Sequence, residues 1–558
     1  MRLRVYNTFI LGIKHTIFTL LIINPKGNCN IPDFGRSLEI SVTKSYAMRK
    51  ILCELSFLLI LLMVISLAGM AQSKIVVHAD QPGAKIDKAI YGHFAEHLGH
   101  CIYGGIYVGE NSAIPNQKGF RSDVVAALKD LSVPLVRWPG GCFADTYHWK
   151  DGIGPKAQRP SIINVHWGGV TEDNSFGTHE FLDFCELIGA DAYVNLNVGS
   201  GTVQEASEWM EYVTSSNESP MTKLRKQNGR EKPWNVKYWA AGNETWGCGG
   251  NMRPEYYADL YRQYATFMRG PGIYKIASGA NTEDYKWTEV LMREAGRMMN
   301  GISVHYYTVP KDWNKKGSAT DFDEAIWFQT LQKTLKMEEL VTKHSAIMDQ
   351  YDPKKRVGLL VDEWGCWFDV EPGTNPGFLF QQNTLRDALV AGINLNIFNN
   401  HCDRVRMSNI AQMINVLQSV ILTKDKEMVL TPTYYVFKMY KVHQDAVVLP
   451  VQMQCDRYTF DFQSVDAVNC SASVKDGVVS ITLCNLDPNK SQEISFDIPG
   501  LKASKISGKV VTAEKINAYN DFGKKEEVSI ADFKNAKMNN GKVEVTLPSK
   551  SVVLIQLQ

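Results

Sequence analysis

The sequence predicts an α/β protein, a (β/α)8 TIM barrel followed by an all-β sandwich. Three observations lead there. Eight short β-branched or aromatic runs recur between about residues 88 and 425. Helix-period stretches separate them, and beyond residue 425 the apolar period falls to two. A length of 558 residues also exceeds what one ordinary domain carries, which fits two folded units.

The barrel strands are read at 89–94, 133–138, 192–198, 236–241, 274–280, 302–307, 357–361 and 393–398. Between them, RSDVVAALKDL (121–131), HEFLDFCELIG (179–189) and PEYYADLYRQYATFMR (254–269) place apolar residues at i, i+3 and i+4, lining one helix face. Eight such units make a barrel of ordinary size with insertions. A doubly wound open sheet would need a phosphate loop, and no GxGxxG or GxxxxGK[ST] follows any of these strands. YYVFKMYKVH is then a last helix or turn. The stretches 477–487, 491–500, 541–549 and 551–558 alternate apolar and polar residues between Asn, Asp, Gly and Pro, the pattern of an antiparallel sandwich. The expected division is 72–88 for a leading strand (74–78) that joins the sandwich, 89–432 for the barrel and 433–558 for the sandwich.

Upstream, residues 48–71 have the three parts of a secretory signal: basic Arg49 and Lys50, an apolar stretch 57–67, and the small-residue zone Ala68-Gly69-Met70-Ala71. The apolar run falls short of the ~20 residues a membrane span needs. Translation is expected to start at Met48, residues 1–71 to be extension and signal, and the product to be secreted or periplasmic with no membrane attachment after cleavage.

With 60 basic and 59 acidic side chains the chain lacks the basic excess of a general nucleic-acid or membrane-surface binder. An aromatic share of 10% is too rich for a disordered chain. Eleven cysteines without a CxxC form neither a disulfide framework nor a zinc finger. Cys101, Cys142, Cys248, Cys366 and Cys402 lie in Gly- or Trp-rich loop segments, and one pair among them could close a disulfide, though spacing does not say which.

Catalytic side chains of a barrel gather where its strands end. After the first strand comes Glu96; after the second, Arg137 and Cys142; along the third, Asn195 and Asn197. The fourth ends in Asn243-Glu244-Thr245-Trp246, the sixth in His305-Tyr306-Tyr307, the seventh in Asp362-Glu363-Trp364 with Trp367, and the eighth in Asn399-Asn400-His401. Strands four and seven face each other across a barrel mouth, so Glu244 and Glu363 can approach. Two facing carboxylates are the minimum equipment for glycoside hydrolysis. A single rim glutamate can also be a salt-bridged residue of the barrel rim; two at strand ends, each near Trp, favour the chemistry. His93-x-x-Glu96-His97 spells an inverted zinc motif, but that motif needs a helix and this one sits between a strand and Gly99. Neither metal nor cofactor is expected, and His93, His97 and His100 are read as ring-stacking or carboxylate-orienting.

IYGHFAEHLGHCIYGGIY, VRWPGGCFADTYHWKDGIGP, YWAAGNETWG, SVHYY, VDEWGCWF and DRVRMSNIAQMINV, in this order, together resemble glycoside hydrolase family 51, the α-L-arabinofuranosidases. The resemblance runs from about residue 74 to the end. It implies a retaining, exo-acting hydrolase that releases terminal α-L-arabinofuranosyl residues from arabinan, arabinoxylan or arabino-oligosaccharides, with a jelly-roll-like C-terminal sandwich and often a hexameric assembly. It gives Glu244 as acid/base and Glu363 as nucleophile. Glu96, Cys142, Asn243, Tyr307 and Gln412 match furanose-binding positions, with Cys142 read as a packing residue of the pocket floor. Arg137 and His305 match residues around the nucleophile, and Trp167 and Trp367 pocket walls. The sixth strand reads His-Tyr-Tyr-Thr where many members have His-Gln-Tyr-Tyr, which leaves Tyr307 against Tyr306 to register. An endo-glucanase or xylanase on the same scaffold and a non-catalytic carbohydrate-binding protein are the alternatives. The insertion 147–180, with Trp149 and Trp167, favours a closed pocket over an open cleft.

Overall fold

In the computed structural model, which describes residues 73–539 and 542–558, eight parallel strands close into a barrel. Strand β1, Ser73–Val77, lies outside it. The barrel strands are β2 (Gly92–Phe94), β3 (Leu135–Trp138), β4 (Asp191–Leu196), β5 (Tyr238–Ala241), β6 (Tyr274–Asn281), β7 (Gly301–Thr308), β8 (Gly358–Cys366) and β9 (Val405–Ile410). β3, β5 and β8 are buried along their whole length, because helices cover the outer face and side chains fill the lumen. Strands buried on both faces read as continuous apolar runs, which is how the sequence shows them.

Inward-facing residues stack in layers. Leu135, Tyr193, Ala240, Ile276, Leu360 and Met407 form an apolar plug in the lumen. Two residues further along β3, β4, β8 and β9 come Arg137, Asn195, Asp362 and Asn409, all buried. The period of two along a strand puts this polar layer directly above the plug, toward the C-terminal mouth.

Two readings depart from the expectation: residues 89–91, read as the start of the first strand, belong to the 3-10 helix Lys88–Tyr91, and the eighth strand differs throughout. Residues 393–398, read as the eighth strand, lie within the helix Leu385–Asn400, and β9 follows it. Every residue from Leu385 to Asn399 is buried. A helix with no solvent face shows no amphipathic period, so its Ile- and Leu-rich centre looks like a buried strand. Its start is capped by Thr384, whose backbone N–H donates to Asp387 Oδ2 at 2.7 Å. Its other face meets the sandwich: Asn396 Nδ2 donates to Asn469 Oδ1 at 2.8 Å and its Oδ1 accepts from Thr482 Oγ1 at 2.7 Å.

The sandwich has a five-stranded and a six-stranded sheet. β1 belongs to the first, antiparallel to Val451–Gln454 and parallel to Gln492–Asp497, with Ile75 opposite both Met453 and Phe496. Strands such as Lys542–Leu547 alternate exposed and buried residues. Their inward set, with Ile75, Ile481, Phe496 and Ile555, makes a core separate from that of the barrel.

Candidate active site

The mouth of the barrel holds a cavity of about 350 Å³ lined by Glu96, Cys142, Glu244, His305, Glu363 and five aromatic side chains, Trp167, Trp246, Tyr307, Trp313 and Trp367. Glu244 and Glu363 approach from opposite sides, with a carboxylate oxygen of each and a ring nitrogen of His305 within 4.8 Å of one another.

Glu363 lies inside β8 rather than after it. A strictly alternating strand would send Asp362 and Glu363 to opposite faces. Here the pairing of β7 with β8 slips between Ser303↔Leu360 and His305↔Glu363, a bulge that lets both acids serve the mouth. Glu363 Oε2 accepts from Arg137 Nη1 at 2.9 Å, and Oε1 accepts from the Tyr307 hydroxyl at 2.7 Å. Tyr306 instead turns away and donates to the Lys333 carbonyl at 2.6 Å. Arg137 is buried and also donates to Asn243 Oδ1 at 2.5 Å. Burial opposes its charge, but Asp362 and Glu363 outweigh this and raise its pKa. Asp362 is likewise opposed by burial, yet Arg137, His305 and the Tyr193 hydroxyl (2.6 Å) hold its carboxyl below the ordinary range.

Glu244 has no arginine. Its Oε1 lies 2.9 Å from His305 Nδ1, and its pKa is raised, chiefly by burial and further by the charge of Glu363, against the pull of the histidine. His305 joins the acids: Nε2 is 3.0 Å from Asp362 Oδ1 and Nδ1 is 3.5 Å from Glu363 Oε2. Burial disfavours its cation, but Glu363, Asp362 and Glu244 together push its pKa up to about 10. Groups this close share their protons and titrate as a set.

The loop that carries Glu244 is tightly held. Glu244 sits at φ +41°, a left-handed conformation that costs a non-glycine residue about 1 kcal/mol or more. Its carbonyl accepts from the N–H of Gly247 at 2.7 Å and of Gly249 at 3.1 Å. A Cβ at Gly249 would lie 2.0 Å from the Asn243 carbonyl oxygen, so only glycine closes this turn. Beneath it, the buried Asp145 carboxylate accepts from the N–H of Val198, Gly199 and Asn243 at 2.8, 2.9 and 3.0 Å. Burial pushes the Asp145 pKa up to about 7 in spite of these bonds.

Glu96 is the third carboxylate. It accepts from Phe143 N–H at 3.1 Å, Trp167 Nε1 at 2.8 Å and Gln412 Nε2 at 2.9 Å. Burial first, and then the charge of Glu363, raise its pKa to about 7. Cys142, read as a packing residue, is joined to Cys248 in a disulfide with Cα atoms 5.5 Å apart. The other cysteines of the described residues are free. Trp367 stands edge-on to Tyr307, with centroids 5.0 Å apart. His97 leaves the cavity: it lies 3.1 Å from Glu172, accepts from Trp138 Nε1 at 3.0 Å and stacks on Phe143. His93 packs against Phe437, and His100 meets Phe378 edge-on. The zinc spelling therefore does not converge on one point.

Three features escaped the sequence reading. Asp145 has no signal that separates it from a surface aspartate. Cys248 was one of five candidates for a disulfide. Trp313, in a lysine-rich loop after β7, stands 5.4 Å from Trp367 at the cavity rim, and a lone Trp among lysines was the available clue.

Known proteins resemble this chain in sequence and in fold. Residues 127–325 match the alpha-L-arabinofuranosidase 1 domain, and residues 362–551 the alpha-L-arabinofuranosidase C-terminal domain. The chain is 57% identical, over 88% of its own length and 97% of the relative's, to an intracellular exo-alpha-L-arabinofuranosidase of Bacteroides ovatus. The structure of a GH51 arabinofuranosidase from Xanthomonas axonopodis pv. citri superimposes with a TM-score of 0.86 at 53% identity, covering 87% of this chain and all of that one. An arabinose complex of the Thermotoga maritima alpha-L-arabinofuranosidase superimposes with a TM-score of 0.77 at 30% identity, again over 87% of this chain and 99% of the other. The expectation of a secreted or periplasmic protein is corrected by the first of these: a relative this similar along nearly its whole length is named intracellular. The segment 48–71 that prompted the expectation lies outside the described residues.

Proposed function

The chain belongs to the α-L-arabinofuranosidases of glycoside hydrolase family 51, glycosidases acting on arabinofuranosides, and from that premise we propose a retaining double displacement with Glu363 as nucleophile and Glu244 as acid/base. The observation that carries this is the contrast between two carboxylates that come within 4.8 Å across one cavity. Retaining glycosidases hold their pair about 5–5.5 Å apart, whereas inverting enzymes need more than about 6.5 Å to admit a water between them.

Each carboxylate is furnished for its part. Arg137 and Tyr307 both donate to Glu363, which suits an ionised nucleophile. Burial favours the protonated form of Glu244, which suits a donor to the glycosidic oxygen. Once the leaving group departs, Glu244 takes a proton from water, which attacks the glycosyl-enzyme and frees arabinose. His305 touches Glu244, Asp362 and Glu363 and orients both catalytic carboxylates. Asn243 gives its carbonyl oxygen to Arg137, leaving the amide N–H to grip the sugar 2-hydroxyl. Glu96 and Gln412 bind other ring hydroxyls, Cys142 packs on the sugar, and Trp167 and Trp367 wall the pocket. The enclosed, aromatic-lined cavity supports release of one terminal residue at a time, from arabinan, arabinoxylan or arabino-oligosaccharides alike. A hexameric assembly rests on the family resemblance alone and is checked by light scattering.

The test follows the first-formed sugar by proton NMR during hydrolysis of an aryl α-L-arabinofuranoside. α-Arabinose is expected to appear first; initial β-arabinose would overturn the retaining assignment. Debranched arabinan should yield arabinose alone, and carboxymethyl cellulose no product.

A further inference from the structure

The disulfide stands where the acid/base works. Cys142 and Cys248 each bring their Sγ, and Glu244 a carboxylate oxygen, to within 4.8 Å of one another. Glu244 Oε1 is engaged by His305, while Oε2 lies 3.6 Å from Cys248 Sγ. A disulfide sulfur carries no hydrogen, so this approach is a bare contact that gives Oε2 no donor. All three residues are only partly buried, and Cys142 and Glu244 line the cavity.

The backbone that presents the two cysteines is held by hydrogen bonds besides their bond. Cys142 opens a short 3-10 helix, Cys142–Thr146, whose Asp145 is fastened to Val198, Gly199 and Asn243. Cys248 sits in the turn closed by Gly247 and Gly249 on the Glu244 carbonyl. Reduction therefore leaves two thiols facing each other, with Cα atoms near the 5.5 Å they have now.

We infer that the reduced protein binds a thiophilic divalent cation, zinc being the type case, through Cys142 Sγ, Cys248 Sγ and Glu244 Oε2, and that this cation inhibits the enzyme. Zinc takes thiolates at about 2.3 Å and a carboxylate oxygen at about 2.0–2.2 Å in a tetrahedron. Two thiolates on one zinc stand about 3.8 Å apart, which a small rotation of each side chain supplies. The fourth position opens on the cavity and takes water. The chemistry balances: a phosphine gives two electrons to the disulfide and leaves as its oxide with the oxygen of one water, whose two protons go to the thiolates, and zinc then displaces both thiol protons to solvent. A carboxylate held by zinc no longer gives or takes the catalytic proton. The inhibition thus rests on the acid/base role of Glu244, whereas binding does not.

The experiment reduces the full chain with a phosphine, removes the reductant without oxygen, and titrates metal into the reduced and oxidised forms. Cadmium should give the ultraviolet thiolate-to-metal absorption band, at one ion per chain, in the reduced form only. Zinc should half-inhibit aryl arabinofuranoside hydrolysis at a concentration at least about 100-fold lower for the reduced than for the oxidised form, with reversal by a chelator. Reduced Cys248→Ser should lose both the band and the sensitivity, which separates this site from the free cysteines. No band in reduced wild type, or an unchanged band in Cys248→Ser, would overturn the site. A band with undiminished activity would overturn the role of Glu244 as a ligand. The comparison of the two redox forms of the wild type stands even if the variant does not fold.

Discussion

Glu244 and Glu363 look alike in the sequence: each ends a strand-like run, and each is followed closely by a tryptophan. Their surroundings differ in kind. Glu363 is drawn into a strand by a bulge and receives an arginine and a phenol. Glu244 is pushed onto a strained turn, where it has burial and one shared histidine but no arginine. On the proposed mechanism, these surroundings suit one side chain for attack and the other for proton transfer. Residue type names the pair; the proposed roles rest on the neighbours.

The sharpest way to break this contrast is to remove each carboxylate in turn. Glu363→Ala should lower kcat by about 10⁴-fold or more on every substrate, since no group replaces a nucleophile. Activity near wild type on an aryl arabinofuranoside would refute the assignment. Glu244→Ala should cost about 10²–10⁴-fold on natural linkages but much less with a good leaving group, and azide should restore turnover. Absence of azide rescue would count against the acid/base role.

A second pair of substitutions probes what sets the difference. Arg137→Met leaves Asp362 and Glu363 buried without their cation and should destabilise the fold by about 3–5 kcal/mol in chemical denaturation. Tyr307→Phe removes one hydrogen bond to a charged group and should cost roughly 10- to 100-fold in kcat/KM with little change in stability. Equal loss of stability in both would blur the distinction between frame and nucleophile partner.

The remaining probe is pH. Asp145 and Glu96 have folded pKa values raised to about 7 by burial, so the folded state holds protons that the unfolded chain has released. Their contribution is fully present below about pH 4 and is lost as pH rises through about 7, so stability should fall across that window by up to roughly 4 kcal/mol for each group. Glu96→Gln should flatten the decline in melting temperature between pH 4 and 7; an unchanged slope would sink the argument.

Much of this was legible beforehand. Seven of the barrel strands, the facing glutamates and the sandwich alternation follow from local periods and from the rule that strand ends converge. The eighth strand was not legible, because the helix Leu385–Asn400 is buried on every side and loses the polar face that marks a helix. Asp145 was not, because its partners are three backbone amides from two distant loops. Export was read from residues 48–71, and a relative named intracellular stands against it.

The sequence by itself determined the order of elements, the pair of acids and the aromatic stock of the mouth, since these depend on residue type and near-neighbour spacing. Only the tertiary structure decided which acid meets Arg137, which tyrosine turns inward, which of five cysteines pair, and that Glu96 and Asp145 hold protons near neutrality. Those outcomes depend on distances across the barrel and on exclusion of water, and neither is written in the spacing of residues along the chain.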